Sequence, residues 1–251
     1  MISIGIDAGA ATTKAVLLRE KEIAGYTILP TGFDFIKAGE TAYREVLSKC
    51  GMCDSGVGKI VATGYGRSSI GFADKTISEI TAHARGVSYL IPEAHTIIDI
   101  GGQDSKVIII ENGKVVDFLM NDRCAAGTGK FLEYTAKALE ISPDELGTLA
   151  RISKSPAKIS SMCTVFAESE VISLRAQKTK KEDIAAGLIE SIILRTAAMV
   201  KKLGIKPEVA FVGGVAKNPG VIKALEKELG IKIKLPEEPQ ITGALGAALF
   251  A

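Results

Sequence analysis

The sequence predicts an α/β protein made of two duplicated lobes, residues 1–94 and 95–251. Three observations lead there. Short apolar strands alternate along the chain with segments of helical periodicity. A strand–turn–strand unit carrying Asp7-Ala-Gly9-Ala-Ala-Thr12-Thr13-Lys14 returns as Asp99-Ile-Gly101-Gly102-Gln103-Asp104-Ser105-Lys106, and such repeats mark duplicated supersecondary units. The length, 251 residues, suits one large domain or two modest lobes at the usual ~150 residues per domain.

Each element has its own signal. Ile2 to Ile6 reads as a strand and Ala15 to Leu18 as its continuation beyond a turn of small residues. Residues 40–50 carry helical periodicity, and Ile60 to Thr63 is the next strand. Glu79 to Ile91 reads as a helix ending before Pro92, because a residue that precedes proline is driven out of helical geometry. Thr96 to Ile100 and Val107 to Ile110 flank the second acidic turn, and Asn112-Gly113 signals a tight hairpin into Lys114 to Phe118. Helices are expected over 127–139, 165–177 and 182–203. A strand at 209–212, a helix at 219–229 and a small-residue helix at 243–251, packing back at a hinge, complete the chain.

Composition removes several function classes. With 47% hydrophobic and 24% charged residues the chain is not disordered. Its 31 Lys and Arg against 29 Asp and Glu leave +2, too balanced for an electrostatic grip on nucleic acid. The most apolar stretch, Ile184 to Val200, contains Glu190 and Arg195 and falls short of the ~20 residues of a membrane helix. Asp7 interrupts the first apolar run, so no export leader is read there. The expectation is a cytoplasmic protein with neither nucleic-acid nor membrane partners. In a reducing compartment Cys50, Cys53, Cys124 and Cys163 are buried thiols, metal or cluster ligands, or redox groups rather than disulfides.

The two acidic turns suit a nucleotide. A phosphate chain needs backbone N–H groups, a hydroxyl or lysine, and a carboxylate that reaches Mg²⁺ directly or through water. In the first turn Gly9 allows close approach, Thr12 and Thr13 supply hydroxyls, Lys14 a cation and Asp7 the carboxylate. In the second, Gly101 and Gly102 relax the turn, Asp99 is the carboxylate and Gln103 an amide placed to orient a water. Gly213-Gly214 closes a strand and suits approach to the adenosine. Taken singly, each glycine motif is read as an ordinary turn; it is their combination that points to a nucleotide. Gly127-Thr-Gly-Lys130 is no P-loop, since Cys124 stands where the first glycine belongs and Phe131 where a Ser or Thr belongs.

These three glycine motifs resemble the two phosphate motifs and the adenosine motif of the actin-like, sugar-kinase and heat-shock ATPase superfamily. The resemblance implies actin-like (ribonuclease-H-like) lobes with a nucleotide cleft between them. Residues 79–86 and 242–249 are similar to its hinge helices, with Ala82, Gly86, Gly243, Ala244, Gly246 and Ala247 permitting a close crossing.

Cys124 lies in N-D-R-C-A-A-G-T-G-K-F-L-E and Cys163 in S-S-M-C-T-V-F-A-E-S-E-V-I-S, each read as just ahead of a helix. A helix N-terminus favours an anionic thiolate or cluster. With I-D-I-G-G-Q-D-S-K, A-T-G-Y-G-R at 62–67 and the closing G-A-L-G-A-A-L, these motifs resemble the ATP-dependent activators of 2-hydroxyacyl-CoA dehydratases, the family that includes the ATPase subunits of benzoyl-CoA reductase. The resemblance runs nearly end to end. It implies a homodimer whose Cys124 and Cys163 hold one shared 4Fe-4S cluster, ATP/ADP with Mg²⁺, a ferredoxin or flavodoxin as electron donor, and an acyl-CoA dehydratase or related iron–sulfur enzyme as acceptor. It also implies phosphate and Mg²⁺ roles for Asp7 and Asp99, phosphate binding by Thr12, Thr13 and Lys14, a water-positioning role for Gln103 and nucleoside contact at Gly213 and Gly214. Cys50-Gly-Met-Cys53 departs from the family pattern. It reads as a surface thiol pair without a role, a redox pair, half of a separate metal site, or two further ligands of a cluster held by one chain. A small-molecule kinase and a non-catalytic scaffold are the rival functions.

Overall fold

The computed structural model describes residues 2–160 and 163–251. Its first part runs β1 (Ile2–Ala8), β2 (Thr12–Arg19), β3 (Glu22–Pro30), α1 (Phe35–Lys49), β4 (Lys59–Thr63), β5 (Lys75–Thr76) and α2 (Glu79–Leu90). Then follow β6 (Thr96–Ile100), β7 (Ser105–Glu111), β8 (Lys114–Asn121), α3 (Gly129–Ala138), α4 (Pro143–Ala150), α5 (Thr164–Ala176) and α6 (Lys181–Leu203). The chain closes with β9 (Val209–Val212), α7 (Pro219–Leu229), β10 (Ile233–Lys234) and α8 (Thr242–Ala248). The strands make two five-stranded sheets, ordered β3-β2-β1-β4-β5 and β10-β9-β6-β7-β8. Read from its other edge, the second order is β8-β7-β6-β9-β10, the first sheet strand for strand. The repeat seen in two turns therefore extends to whole sheets.

The chain divides into two compact units: residues 1–97, 108–118 and 235–251 form one, residues 98–107 and 119–234 the other. In the first unit, period-two alternation sends β1 side chains to two different layers. Ile4, Ile6 and Ala8 join Ala15, Leu17, Ala42, Val46 and Ala62 in a core beneath α1. Val16 and Leu18 pack with Ile241, Ala244, Leu245 and Ala248 on the α8 face. On that face β1 presents Ser3, whose hydroxyl donates to the Ala248 carbonyl at 2.9 Å, then Gly5 and Asp7. A Cβ on Gly5 would lie 1.9 Å from the Ala244 carbonyl oxygen, so the glycine is what lets α8 lie flat on the strand.

The expected close helix crossing is present within this unit. A Cβ on Gly86 of α2 would lie 2.0 Å from the Thr242 carbonyl oxygen, and one on Gly246 of α8 would lie 1.8 Å from that of Ala82. In the second unit, a core gathers Ile98, Ile100 and Val107 from the sheet with Phe131, Leu146, Ala167, Leu188 and Val221 from the helices. Asn112 and Gly113 both take positive φ (51° and 72°), the geometry of the anticipated tight hairpin.

Four departures from the sequence reading have local causes. Strand β3 is additional to it, because its hairpin is turned by Glu20 and Lys21 (φ 55° and 73°) rather than by Asn-Gly, and only its Thr27 is buried. Helix α1 starts at Phe35, not at residue 40, because Asp34 caps it through the N–H groups of Ile36 and Lys37. Helix α4 is also additional, although Ser142-Pro143-Asp144-Glu145 is a complete capping box. Helix α3 starts at Gly129, two residues later than expected, after a turn in which Thr128 donates to the Ala125 carbonyl at 2.7 Å.

A Gly246→Ala substitution tests the crossing. Helix propensity alone favours alanine by about 1 kcal/mol, but the overlap is with backbone, which cannot swing aside. The expected net result is a loss of about 1–3 kcal/mol in urea denaturation. Gly71→Ala, where a Cβ meets nothing within 4 Å, should stay within about 0.5 kcal/mol of wild type.

Candidate functional site

Asp7 is the penultimate residue of β1 and stands in antiparallel register with Lys14 of β2. Side chains in register share a face, and Lys14 Nζ sits 3.1 Å from Asp7 Oδ2. Only residues 9–11 are turn; Thr12, Thr13 and Lys14 already belong to β2. Thr31 braces this turn, its hydroxyl donating to the Gly9 carbonyl at 2.7 Å and its N–H to that of Ala11 at 3.1 Å. The buried Thr13 hydroxyl lies 2.9 Å from Thr31 Oγ1 and completes the brace as its donor. Thr12, Lys14 and Gly9 stay partly exposed. Gly64 closes the site from β4: with φ of 89°, a Cβ there would fall 2.4 Å from Asp7 Oδ1. On the α8 side, a Cβ on Gly243 would come within 3.0 Å of Asp7 Oδ2 and 3.3 Å of His83 Nε2, while His83 Nδ1 lies 2.9 Å from Thr242 Oγ1.

The second turn repeats this construction. Asp99 lies in β6 and Lys106 in β7, their ion pair 3.2 Å long and almost wholly buried. A second carboxylate, Asp104, holds Lys106 Nζ at 2.6 Å. Gly213, with φ of 86°, stands to Asp99 as Gly64 does to Asp7, its Cβ position 2.5 Å from Asp99 Oδ1. Gly101 donates its N–H to the Asp104 carbonyl at 3.0 Å, which closes the turn and leaves Gln103 exposed and Gly102 partly so. Gly214 is exposed beside the buried Gly213. Helix α3 begins on this turn: Gly129 N–H donates to the Gly101 carbonyl at 2.8 Å and Lys130 N–H to that of Gly102 at 2.9 Å. Thus Asp99, Gly101, Gly102 and Gly213 meet, and Gly129, which the motif reading sets aside, joins them.

The cysteines fall into two pairs. Cys124 is half-buried on a loop pinned by Asn121, whose Nδ2 donates to the carbonyls of Cys124 (3.0 Å) and Ala126 (3.2 Å). Because α3 starts at Gly129 and spends its first two N–H groups on the Gly101 and Gly102 carbonyls, the helix-terminus argument does not apply at Cys124. It does apply at Cys163, the half-buried N-cap residue of α5. Residues 161 and 162 of the second cysteine motif lie outside the described residues. Cys50 ends α1 with its Sγ turned toward Gly25, where a Cβ would sit 2.7 Å away, while Cys53 is exposed. Among the described residues no three His, Cys, Asp or Glu side chains cluster as a metal site.

The family model for the BadF/BadG/BcrA/BcrD ATPase family matches residues 4–251. The chain belongs to that family. It is 46% identical over 257 residues to the 2-hydroxyisocaproyl-CoA dehydratase activator of Clostridioides difficile, with 100% of this chain and 95% of that protein covered. The solved structure of the Clostridium difficile activator with bound ADPNP superposes with a TM-score of 0.94 at 45% identity, covering 100% of this chain and 94% of that one. A benzoyl-CoA reductase subunit from Thauera aromatica is 34% identical, covering 99% of this chain and 92% of that protein. A ROK family glucokinase from Streptomyces griseus shares the fold alone, with a TM-score of 0.61 at 15% identity, covering 100% of this chain and 99% of that one. The architecture is thus the actin-like α/β fold and the protein is an ATPase of the BadF/BadG/BcrA/BcrD family. Among the described residues no helix is long and apolar enough to cross a membrane.

The two lysines of this ATPase differ in burial, which gives a prediction. Lys106→Met takes the cation from the buried Asp99 carboxylate as well as from Asp104 and is expected to cost about 3–5 kcal/mol. Lys14→Met, at a side chain that is 13% exposed against 2% for Lys106, should cost distinctly less, because water reaches the freed carboxylate. Urea midpoints of the two variants check the order.

Proposed function

We propose that this ATPase is a dehydratase activator, which uses ATP to drive one low-potential electron into a partner iron–sulfur enzyme, an acyl-CoA dehydratase. In this reading Cys124 and Cys163 of each copy bind one 4Fe-4S cluster shared across a homodimer, and the cluster supplies the electron. The observation that carries it is the state of the two thiols: both are free, neither is fully buried, and both stand in the same compact unit. Thiolates are the ordinary cluster ligands, and a four-thiolate set drawn from two ligands per chain requires a two-fold pair of copies. Val165 and Phe166, exposed at the start of α5 just after Cys163, give such a pair apolar surface to bury.

In the same reading the turns take the nucleotide roles. Asp7 and Asp99 face the phosphates and their Mg²⁺. Gly9, Thr12 and Lys14 meet the phosphates at the first turn, which Thr13 braces through Thr31, and Gly101 and Gly102 meet them at the second. Gln103, exposed on its turn, orients the attacking water, and Gly213 and Gly214 meet the nucleoside. Lys14 and Lys106 fix the carboxylates by ion pairing, which preorganises the charge before nucleotide arrives. A ferredoxin or flavodoxin of the cytoplasm is the electron source. A second reading, an ATPase component of an aromatic acyl-CoA reductase, is favoured by the likeness to the Thauera aromatica benzoyl-CoA reductase chain.

Anaerobic purification with iron, sulfide and native-mass measurements tests the proposal. Wild type is expected to carry one 4Fe-4S cluster per dimer. Cys124→Ser and Cys163→Ser should each lose it, and Cys50→Ser/Cys53→Ser should keep it. An iron-free monomer that still hydrolyses ATP would overturn the shared cluster and favour a kinase of the same fold.

A further inference from the structure

Besides Asp104 and the α8 cover, the two carboxylate sites differ at the residue that precedes the closing glycine. Gly64 is preceded by Thr63 and its counterpart Gly213 by Val212, and both preceding residues are wholly buried. Threonine and valine have nearly the same shape, so packing accounts for a β-branched residue at each place but not for the hydroxyl. Thr63 stands in parallel register with Asp7. Its neighbour Ala62 lies in the core under α1 together with Ile6, so Thr63 and Asp7 share the opposite face. Lys14, Asp7 and Thr63 therefore form one row across β2, β1 and β4. Lys14 is ion-paired to Asp7, whereas Thr63 Oγ1 is buried with no hydrogen-bond partner among the described residues. A buried hydroxyl with nothing to bond is a net cost to folding, and the duplicated unit shows that valine fits the place.

We infer that Thr63 is a positioning residue of the nucleotide site, whose hydroxyl, beside the Asp7 carboxylate, holds a water of the hydrated divalent cation that accompanies the phosphates. The inference rests on the reading of Asp7 as the cation and phosphate carboxylate. Mg²⁺ keeps several of its waters when bound with phosphates. A hydroxyl can accept a hydrogen bond from such a water while donating to a carboxylate or phosphate oxygen, and valine can do neither.

The experiment uses the full chain as wild type, Thr63→Val, Thr63→Ser and Asp7→Asn. Three quantities are read: the Mg²⁺ concentration for half-maximal ATPase at saturating ATP, the melting temperature without nucleotide, and the Mg²⁺-dependent part of the melting shift produced by ADP. Thr63→Val is expected to melt at or above wild type without nucleotide. It should need about 10-fold more Mg²⁺ and lose most of the Mg²⁺-dependent shift, with Thr63→Ser restoring both. Unchanged Mg²⁺ behaviour in Thr63→Val while Asp7→Asn loses it would overturn the inference and leave the reading of Asp7 standing. Unchanged Mg²⁺ behaviour in Asp7→Asn would overturn that reading and the inference with it. A Thr63→Val protein that melts well below wild type with normal Mg²⁺ dependence would make the hydroxyl a structural group and also overturn the inference.

Discussion

A carboxylate buried at the end of a central strand is the constraint around which each sheet of this protein is arranged. Taking an unpaired carboxylate out of water costs several kcal/mol, so a cation has to come with it. The nearest source is the antiparallel neighbour, and the hairpin register places that cation seven residues on, Lys14 for Asp7 and Lys106 for Asp99. The strand on the other side must then end without a side chain. A Cβ on Gly64 would collide with Asp7 Oδ1 and one on Gly213 with Asp99 Oδ1, and both glycines take a φ that side-chain-bearing residues avoid. Three strands are tied by one carboxylate, twice in the chain.

What surrounds that shared construction differs between the units. Asp7 is overlaid by α8, and the approach is so close that glycine is required at three separate contacts, Gly5 under the helix, Gly86 across from it and Gly246 within it. His83 and Thr242 join α2 to α8 at the same place. Asp99 has a second carboxylate instead, Asp104, which shares the lysine and makes that cluster the more heavily charged of the two, while the Asp99–Lys106 pair itself is the drier. Lys106 is therefore committed to structure, with two carboxylates and 2% exposure. Lys14 has one carboxylate and is partly open to solvent.

The spacing of Asp, Gly and Lys is legible in the sequence because turn chemistry is local. The duplication, the hairpin at Asn112-Gly113 and the small-residue crossing of α2 and α8 are legible for the same reason. What escapes is set by contacts between distant segments. Thr31, which braces the first turn through the Gly9 and Ala11 carbonyls, lies beyond a hairpin formed by Glu20 and Lys21, residues that announce no turn. Gly64 gives a signal in A-T-G-Y-G-R, yet only the parallel pairing of β1 with β4 brings it to Asp7. Helix α4 is legible in principle, since its capping box is complete in four consecutive residues, but it is too short for its periodicity to stand out. The placing of Cys124 before a helix depends on an α3 boundary that periodicity fixes poorly.

That boundary also explains why Gly127-Thr-Gly-Lys130 imitates a P-loop. Gly127 takes a φ of 95° beneath Arg195, with Asn121 Nδ2 3.5 Å from its Cβ position. Gly129 lets α3 meet the second acidic turn, since a Cβ there would lie 3.1 Å from the Gly101 carbonyl oxygen and 3.3 Å from Gly102 Cα. Gly127 thus serves a positive φ and Gly129 a backbone-to-backbone contact, and the N–H groups that a P-loop would offer to phosphate are bonded to the turn. The consequence is a short mechanical connection inside one compact unit. The carbonyls of Gly101 and Gly102 hold the first residues of α3, and five residues back along the chain Asn121 holds the carbonyl of Cys124. Any displacement of the 101–104 turn must either break two backbone hydrogen bonds or carry with it the first residues of α3, which follow Cys124 by five positions.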